Sequence, residues 1–182
     1  MIVDQHLTRD RILSYGLGIA SAQGLKALTL ADLARDLDLP RSSLLEYFPS
    51  RDHLQLGVLE QAAGLFVTDV VEPGLAAPAG EQRIATLFGK WLAWSRSPRL
   101  KGGCPFVHAS REGDALGSEP RAKLQEFLDT FTGVVRQAFA EEKGASFRAD
   151  IDPDQLVFEL YGLYLSHHFW HWSMRDQSAH GR

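Results

Sequence analysis

Apolar side chains recur along this chain with the period of a helix, and the two-residue alternation of a half-buried strand is almost absent. Ile12, Leu13, Gly16, Leu17 and Ala20 form one stripe, which Gly24 ends. Thr29 stands directly before Leu30, Leu33, Ala34 and Leu37, spaced i, i+3, i+4 and i+7. Asp32 follows Thr29 by three residues, so hydroxyl and carboxylate can cap each other's backbone donors. Asp38-Leu39-Pro40 interrupts the pattern, because a proline drives the residue before it out of helical geometry. Pro40 suits the first turn of a short helix to about Tyr47. Phe48-Pro49-Ser50 is a second break, and Ser50 a good N-cap for a long helix carrying Leu54, Val58, Ala62 and Leu65. The two middle helices and their tight turn have the proportions of a helix-turn-helix.

Further along, Glu72-Pro73-Gly74 to Pro78-Ala79-Gly80 reads as a linker. Ile84, Leu87, Phe88, Trp91 and Trp94 mark an amphipathic helix, and Lys101-Gly102-Gly103 a turn before a short apolar segment, Cys104 to Ala109. The cleanest stripe runs through Leu124, Phe127, Leu128, Phe131, Val134, Val135, Ala138 and Phe139, and can face the core or a partner. Asp152 then caps a last long helix with Pro153 as its first residue. On it Leu156, Phe158, Leu160, Tyr161, Leu163, Tyr164, Leu165 and Phe169 leave little polar face. A helix apolar nearly all round is buried on several sides. One chain of this size hardly supplies that, so a homodimer contact is expected. The fold class is all-α: an N-terminal three-helix helix-turn-helix domain over residues 1–52 and a helical bundle over residues 53–182.

Composition qualifies this picture more than it builds it. The 182 residues suffice for one generous domain, or a small head on a larger body. A single cysteine, Cys104, rules out an intramolecular disulfide and fits a reducing compartment. The N-terminus has no basic stretch followed by an apolar one, so no signal peptide is expected. No apolar run nears the about eighteen residues that span a bilayer. A cytoplasmic chain with no membrane partner follows. The net charge is −4, and residues 1–55 hold six Arg and Lys against seven Asp and Glu. Phosphate binding draws on clustered cations, so charge argues mildly against a nucleic-acid partner and the case rests on pattern.

That pattern resembles the TetR family of transcriptional regulators. The resemblance is strongest from Thr8 to Glu60, in Arg11-Ile12-Leu13, Gly24, Leu28-Thr29-Leu30, Leu33-Ala34, Leu37, Leu39, Tyr47-Phe48-Pro49-Ser50 and Leu54. Gly102 to Val107, and Asp152 through Leu163, are similar to the C-terminal domain of one subgroup. The resemblance implies a double-stranded DNA operator as partner, and a second domain that dimerises and often encloses a ligand. It implies a homodimeric repressor released by a small molecule. No Ser/His/Asp order, phosphate loop or carboxylate pair stands out, so no enzymatic activity and no cofactor are expected. The alternative is a helical ligand-binding or interaction protein that keeps the fold without specific DNA binding. A further C-terminal helix after about Asp176 is also implied, where this chain carries the polar run Gln177-Ser178-Ala179-His180.

Site residues follow from the same resemblance. Thr29 matches a phosphate-contacting position at a helix start, where anions are favoured. Arg41, Ser42 and Ser43 match positions facing base edges and phosphates, and an arginine there can read guanine with both its arms. Tyr47 matches an aromatic packed on the sugar-phosphate backbone, and Arg51 a phosphate contact. Without the resemblance, Thr29 and Ser50 are sufficient as caps and Tyr47 as core. The chain departs from the family at Asp38, where glycine is usual, and at Pro40, where serine is usual. It departs again at Leu45, often tyrosine, and at Glu46, where histidine, tyrosine or arginine is common. Asp38 and Glu46 bring negative charge toward the expected phosphates. Glu46 is either a solvated carboxylate or an acceptor for a cytosine amino group.

For the second domain, Phe88, Trp91, Trp94, Phe106, Phe127, Phe131, Tyr161 and Tyr164 can line an apolar cavity for an apolar or aromatic effector. Equally, aromatic stripes at helical spacing make plain core. Cys104, near Lys101 and His108, is counted with the ligand-binding residues: these neighbours favour a thiolate and so a redox or electrophile sensor. Otherwise it is a buried structural thiol. His167 and His171 share a helix face at metal-compatible spacing, but no Cys, Asp or Glu completes a set nearby, so no metal is expected.

Overall fold

The computed structural model describes residues 9–181. Its helices are α1 (Arg9–Gln23), α2 (Leu30–Asp36), α3 (Arg41–Tyr47), α4 (Arg51–Phe66), α5 (Glu72–Ala76), α6 (Glu81–Trp94), α7 (Pro105–Glu112), α8 (Ser118–Glu141) and α9 (Pro153–His168). Short 3-10 or π turns lie at Leu25–Ala27, Val67–Val71, Gly113–Ala115, Phe169–Ser173 and Gln177–Gly181. Among the described residues the only β pairing is an isolated bridge between Lys143 and Phe147, so the fold is all-α as the periodicity predicts. Thr8, where the resemblance begins, and the residues before it lie outside the described residues.

Contacts group the chain into two compact units. The first takes in the chain through Ala62 together with Arg99–Leu124; the second takes in Ala63–Pro98 together with the chain from Gln125. This division differs from a single cut after residue 52, and the reason is steric. Gly102 lies so close to the end of α1 that a Cβ on it would meet Ala22 Cα at 2.5 Å. Lys101 N–H donates to Ser21 Oγ at 2.9 Å. Both contacts bring a segment distant in sequence onto the head.

The first unit's core gathers Ile12, Leu13 and Leu17 from α1, Leu33 from α2, Leu44 and Phe48 around α3, and Leu54, Val58 and Leu59 from α4. Burial of such side chains contributes roughly 1.5–3 kcal/mol each. Seven-residue helices such as α2 and α3 depend on it, because isolated helices below about 12–15 residues are marginal in water. The turn between them is a Schellman motif: Asp38 N–H donates to Arg35 O at 3.2 Å and Leu39 N–H to Ala34 O at 2.8 Å. Asp38 occupies the left-handed position at φ 54°, where aspartate is one of the few non-glycine residues tolerated. The departure from the family's glycine therefore leaves the turn intact.

In the second unit, α6, α8 and α9 surround an aromatic centre. Phe66 stands edge-on to Trp94, Phe127 and Phe131, with ring centroids 5.5, 5.1 and 4.8 Å away. Trp91 stacks on Tyr164 at 3.9 Å. Much of the α8 stripe serves the chain's own core, with Leu124, Phe131, Val135, Ala138 and Phe139 buried and Phe127, Leu128 and Val134 half-buried. Asp152 caps α9 as expected, its carboxylate accepting from Asp154 N–H at 3.0 Å.

Two expectations are corrected. The stretch Glu72 to Gly80 is mostly not a linker: Glu72–Ala76 is helical, and only Ala77 to Gly80 breaks the path. The chain widens into a π turn just before Pro73, which has no N–H to donate, and so continues through it. Gly74 is there for packing, since a Cβ on it would lie 2.2 Å from Leu87 Cδ2. As a result, Arg51–Ala76 forms one 26-residue helical stretch, long and apolar enough by composition to cross a membrane, which the sequence survey did not anticipate. Its Leu54, Val58 and Ala62 lie in the first unit's core, and its Phe66 and Val70 in the second's.

Candidate nucleic-acid interface

The interface begins with a cap. Thr29 Oγ1 accepts from Asp32 N–H at 3.0 Å and donates to Asp32 Oδ2 at 2.6 Å. Asp32 also pairs with Arg35 at 2.8 Å, and Arg35 reaches Asp36 at 3.3 Å. The Thr29 hydroxyl and then the Arg35 guanidinium hold the Asp32 carboxyl below the usual carboxylate range. Hydrogen bonding to Asp32 in turn raises Arg35 above its ordinary value. Arg35 thus stays a cation on this face, paired with Asp32 and Asp36.

Helix α3 is anchored by Leu44, fully buried, and by Phe48 just beyond its end. It turns Arg41, Ser42, Glu46 and Tyr47 outward, with Ser43 half-buried. Arg41 has no ion pair among the described residues. Tyr47 is 41% exposed and so is not core. Exposed Glu46 stands on the same short helix as Arg41, so the face presents both signs of charge. Ser50 caps α4, accepting from His53 N–H at 3.3 Å, with its hydroxyl 2.8 Å from His53 Nδ1.

Arg51 has a structural task. Its Nε donates to Leu28 O at 3.0 Å and its Nη2 to Lys26 O at 2.5 Å, so it grips the chain leading into α2. Buried Gln55, one turn further along α4, donates to Leu25 O at 2.8 Å. From α7, Glu112 accepts from Lys26 N–H through both carboxylate oxygens, at 3.1 and 3.2 Å. Sequence inspection missed Gln55 and Glu112. A polar residue on an apolar helix face was a usable hint for Gln55; nothing local marks Glu112.

The candidate effector residues divide between the units. Cys104 and Phe106 are buried in the first, with Cys104 at the N-cap of α7. Trp91, Trp94, Phe127, Phe131, Tyr161 and Tyr164 belong to the second, joined in ring-to-ring contact. Phe88 meets Trp91 edge-on at 6.3 Å and also helps line a cavity of about 300 Å³ with Leu92, Leu163, His167 and Trp170. His167 and His171 stack at 5.8 Å, and no group of three potential metal ligands is present among the described residues.

Residues 80–182 match the family model described as the tetracyclin repressor-like C-terminal domain. No curated protein matches the sequence. Several solved structures share the fold at low identity. A TetR transcriptional regulator from Chloroflexus aurantiacus superposes with a TM-score of 0.83 at 16% identity, over 95% of this chain and 88% of that one. A regulatory protein TetR from Rhodobacter sphaeroides gives 0.82 at 19%, over 97% and 94%. AibR, solved with isovaleryl coenzyme A and operator DNA, gives 0.73 at 14%, over 90% and 85%.

Proposed function

The chain belongs to the tetracyclin repressor-like (TetR) family of transcriptional regulators, which are not enzymes, and from that membership we propose that it is a homodimeric repressor that leaves its operator when a small molecule binds. The observation that carries this is the exposed face of α3, where Arg41, Ser42, Glu46 and Tyr47 point outward while Leu44 anchors the helix. A seven-residue helix held from behind by Leu44, with a mainly polar front that also exposes Leu45, fits the major groove. Arg41 is its guanine or phosphate contact, Thr29 offers the N-terminus of α2 to a phosphate, and Ser42, Ser43 and Tyr47 complete the footprint. Arg51 contributes mainly by holding Lys26 and Leu28 in place. The two copies of α3 would meet half-sites about one helical turn apart.

Dimerisation is proposed through α9. Phe158 is 73% exposed and Leu163 60%, and Leu165, Phe169 and Trp170 are exposed as well. Phe158, Gly162, Leu165 and Phe169 fall at i, i+4, i+7 and i+11, one continuous stripe, and a contiguous exposed apolar surface marks an interaction site. The effector is proposed to be an apolar or aromatic small molecule, as isovaleryl coenzyme A carries an apolar acyl group in AibR. The cavity beside Phe88 favours entry there, because the rings of Trp91, Phe131 and Tyr164 already fill one another's contacts. Such a ligand acts only if it binds the DNA-competent and released forms unequally.

A second proposal, a helical binding protein without specific DNA recognition, draws on exposed Glu46 and Asp38 beside α3. One experiment separates the two. Selection from random-sequence duplexes, followed by a salt titration of the enriched duplex, should give a strong sequence preference and an affinity that falls steeply with salt. Equal, weak binding to enriched and random duplexes would defeat the repressor proposal.

A further inference from the structure

The backbone of Lys26 is held on both sides by charged side chains that arrive from different helices. Its N–H donates to both oxygens of Glu112, the last residue of α7, 86 positions away in sequence. Its carbonyl accepts from Arg51 at the start of α4. Gln55 holds the neighbouring Leu25 carbonyl. Gly24 makes room for the carboxylate: it sits at φ 85°, and a Cβ on it would lie 2.1 Å from Glu112 Oε1. Three residues after Lys26 comes Thr29, the cap of α2. The 3-10 turn Leu25–Ala27 is therefore the mount of the helix-turn-helix, and α7 supplies one of its fastenings.

We propose that Glu112 is a positioning residue for DNA recognition: its carboxylate fixes the turn that aims α2 and α3, so the placement of α7 sets the placement of the DNA-reading pair. This rests on the regulator reading above. The sign of the effect distinguishes it from simple electrostatics. A carboxylate near a DNA-binding face repels phosphate, so loss of its charge alone tightens binding. Loss of its reach loosens the mount and weakens binding.

Two conservative variants of the full chain separate charge from reach. E112D keeps the charge but is one methylene short; E112Q removes the charge but keeps an oxygen that can accept from Lys26 N–H. The probe is the duplex enriched from random-sequence DNA, read by fluorescence anisotropy at fixed salt, alongside hydrogen exchange of the Lys26 and Val58 amides. E112D should bind about three- to tenfold more weakly, the net worth of one ordinary hydrogen bond. Its Lys26 amide should exchange about tenfold faster while Val58 in the core of α4 is unchanged, and E112Q should keep the wild-type exchange and bind no more weakly than the wild-type chain. Wild-type affinity in E112D with tighter binding in E112Q overturns the proposal, and so does unchanged Lys26 exchange in E112D. If the wild-type chain selects no duplex, the regulator reading falls and takes this DNA role with it. If it selects one that E112D binds equally well, only the positioning role falls.

Discussion

The hydroxyl of Thr29 and the carboxylate of Asp32 are 2.6 Å apart, and the same hydroxyl accepts the Asp32 amide at 3.0 Å. This reciprocal pair starts α2, and both its thermodynamic and its acid-base consequences are measurable. Replacing Thr29 by alanine leaves an amide of the first turn without a partner and should cost about 1 kcal/mol in urea unfolding, with serine restoring most of it. A T29A variant as stable as the wild type would show that water replaces the cap without loss.

The Asp32 carboxyl is held below its ordinary range chiefly by that hydroxyl. A lowered folded value means a contribution to stability that is present above the ordinary carboxylate range and disappears as pH falls through the lowered value. In T29A the Asp32 titration midpoint, followed by carboxyl NMR shifts, should move up relative to the wild type. Equal midpoints would assign the depression to Arg35 instead.

Arg41 and Arg51 are both exposed arginines in the head, yet they should respond oppositely to truncation. R41A should weaken binding to the selected duplex and reduce the salt slope by about 1, with unchanged unfolding. R51A removes the donor to two backbone carbonyls and should cost about 1.5 kcal/mol of stability before any DNA is added. If R51A unfolds like the wild type and R41A does not, the two assignments are reversed.

Two glycines one helix apart give a matched steric test. Gly74 has no room for a Cβ, because the buried Leu87 occupies it, so G74A should destabilise by about 1–3 kcal/mol. Gly89, inside α6, has nothing within 4 Å of such a Cβ. G89A should therefore gain about 0.5–1 kcal/mol from helix propensity alone. Thermal melts of both variants check the pair, and a loss in G89A would reveal a contact on that face of α6.

The α9 stripe predicts the oligomeric state. F158E places a charge at the most exposed large apolar residue described and should shift sedimentation from dimer to monomer while the helical circular dichroism stays unchanged. A variant that sediments like the wild type would remove α9 as the dimer contact.

Interactions within one helical turn were legible from residue order, because neighbours three and four apart meet whatever the rest of the chain does. The Thr29–Asp32 pair, the Ser50 and Asp152 caps, the break before Pro40 and the buried stripes of α1 and α8 are of this kind. So is the helix-turn-helix itself. Contacts across long stretches of chain carry no such local mark. Nothing near Glu112 announces that it will cap a turn 86 residues earlier, and Gly74 resembles a linker until Leu87 is packed against it. Arg51 resembles a phosphate contact until two carbonyls claim it, and the aromatic positions of α6, α8 and α9 could equally have lined a cavity or filled one another. Side-chain chemistry and spacing limit what each residue can do; which of those options it takes depends on the neighbours that close packing brings within a few ångströms.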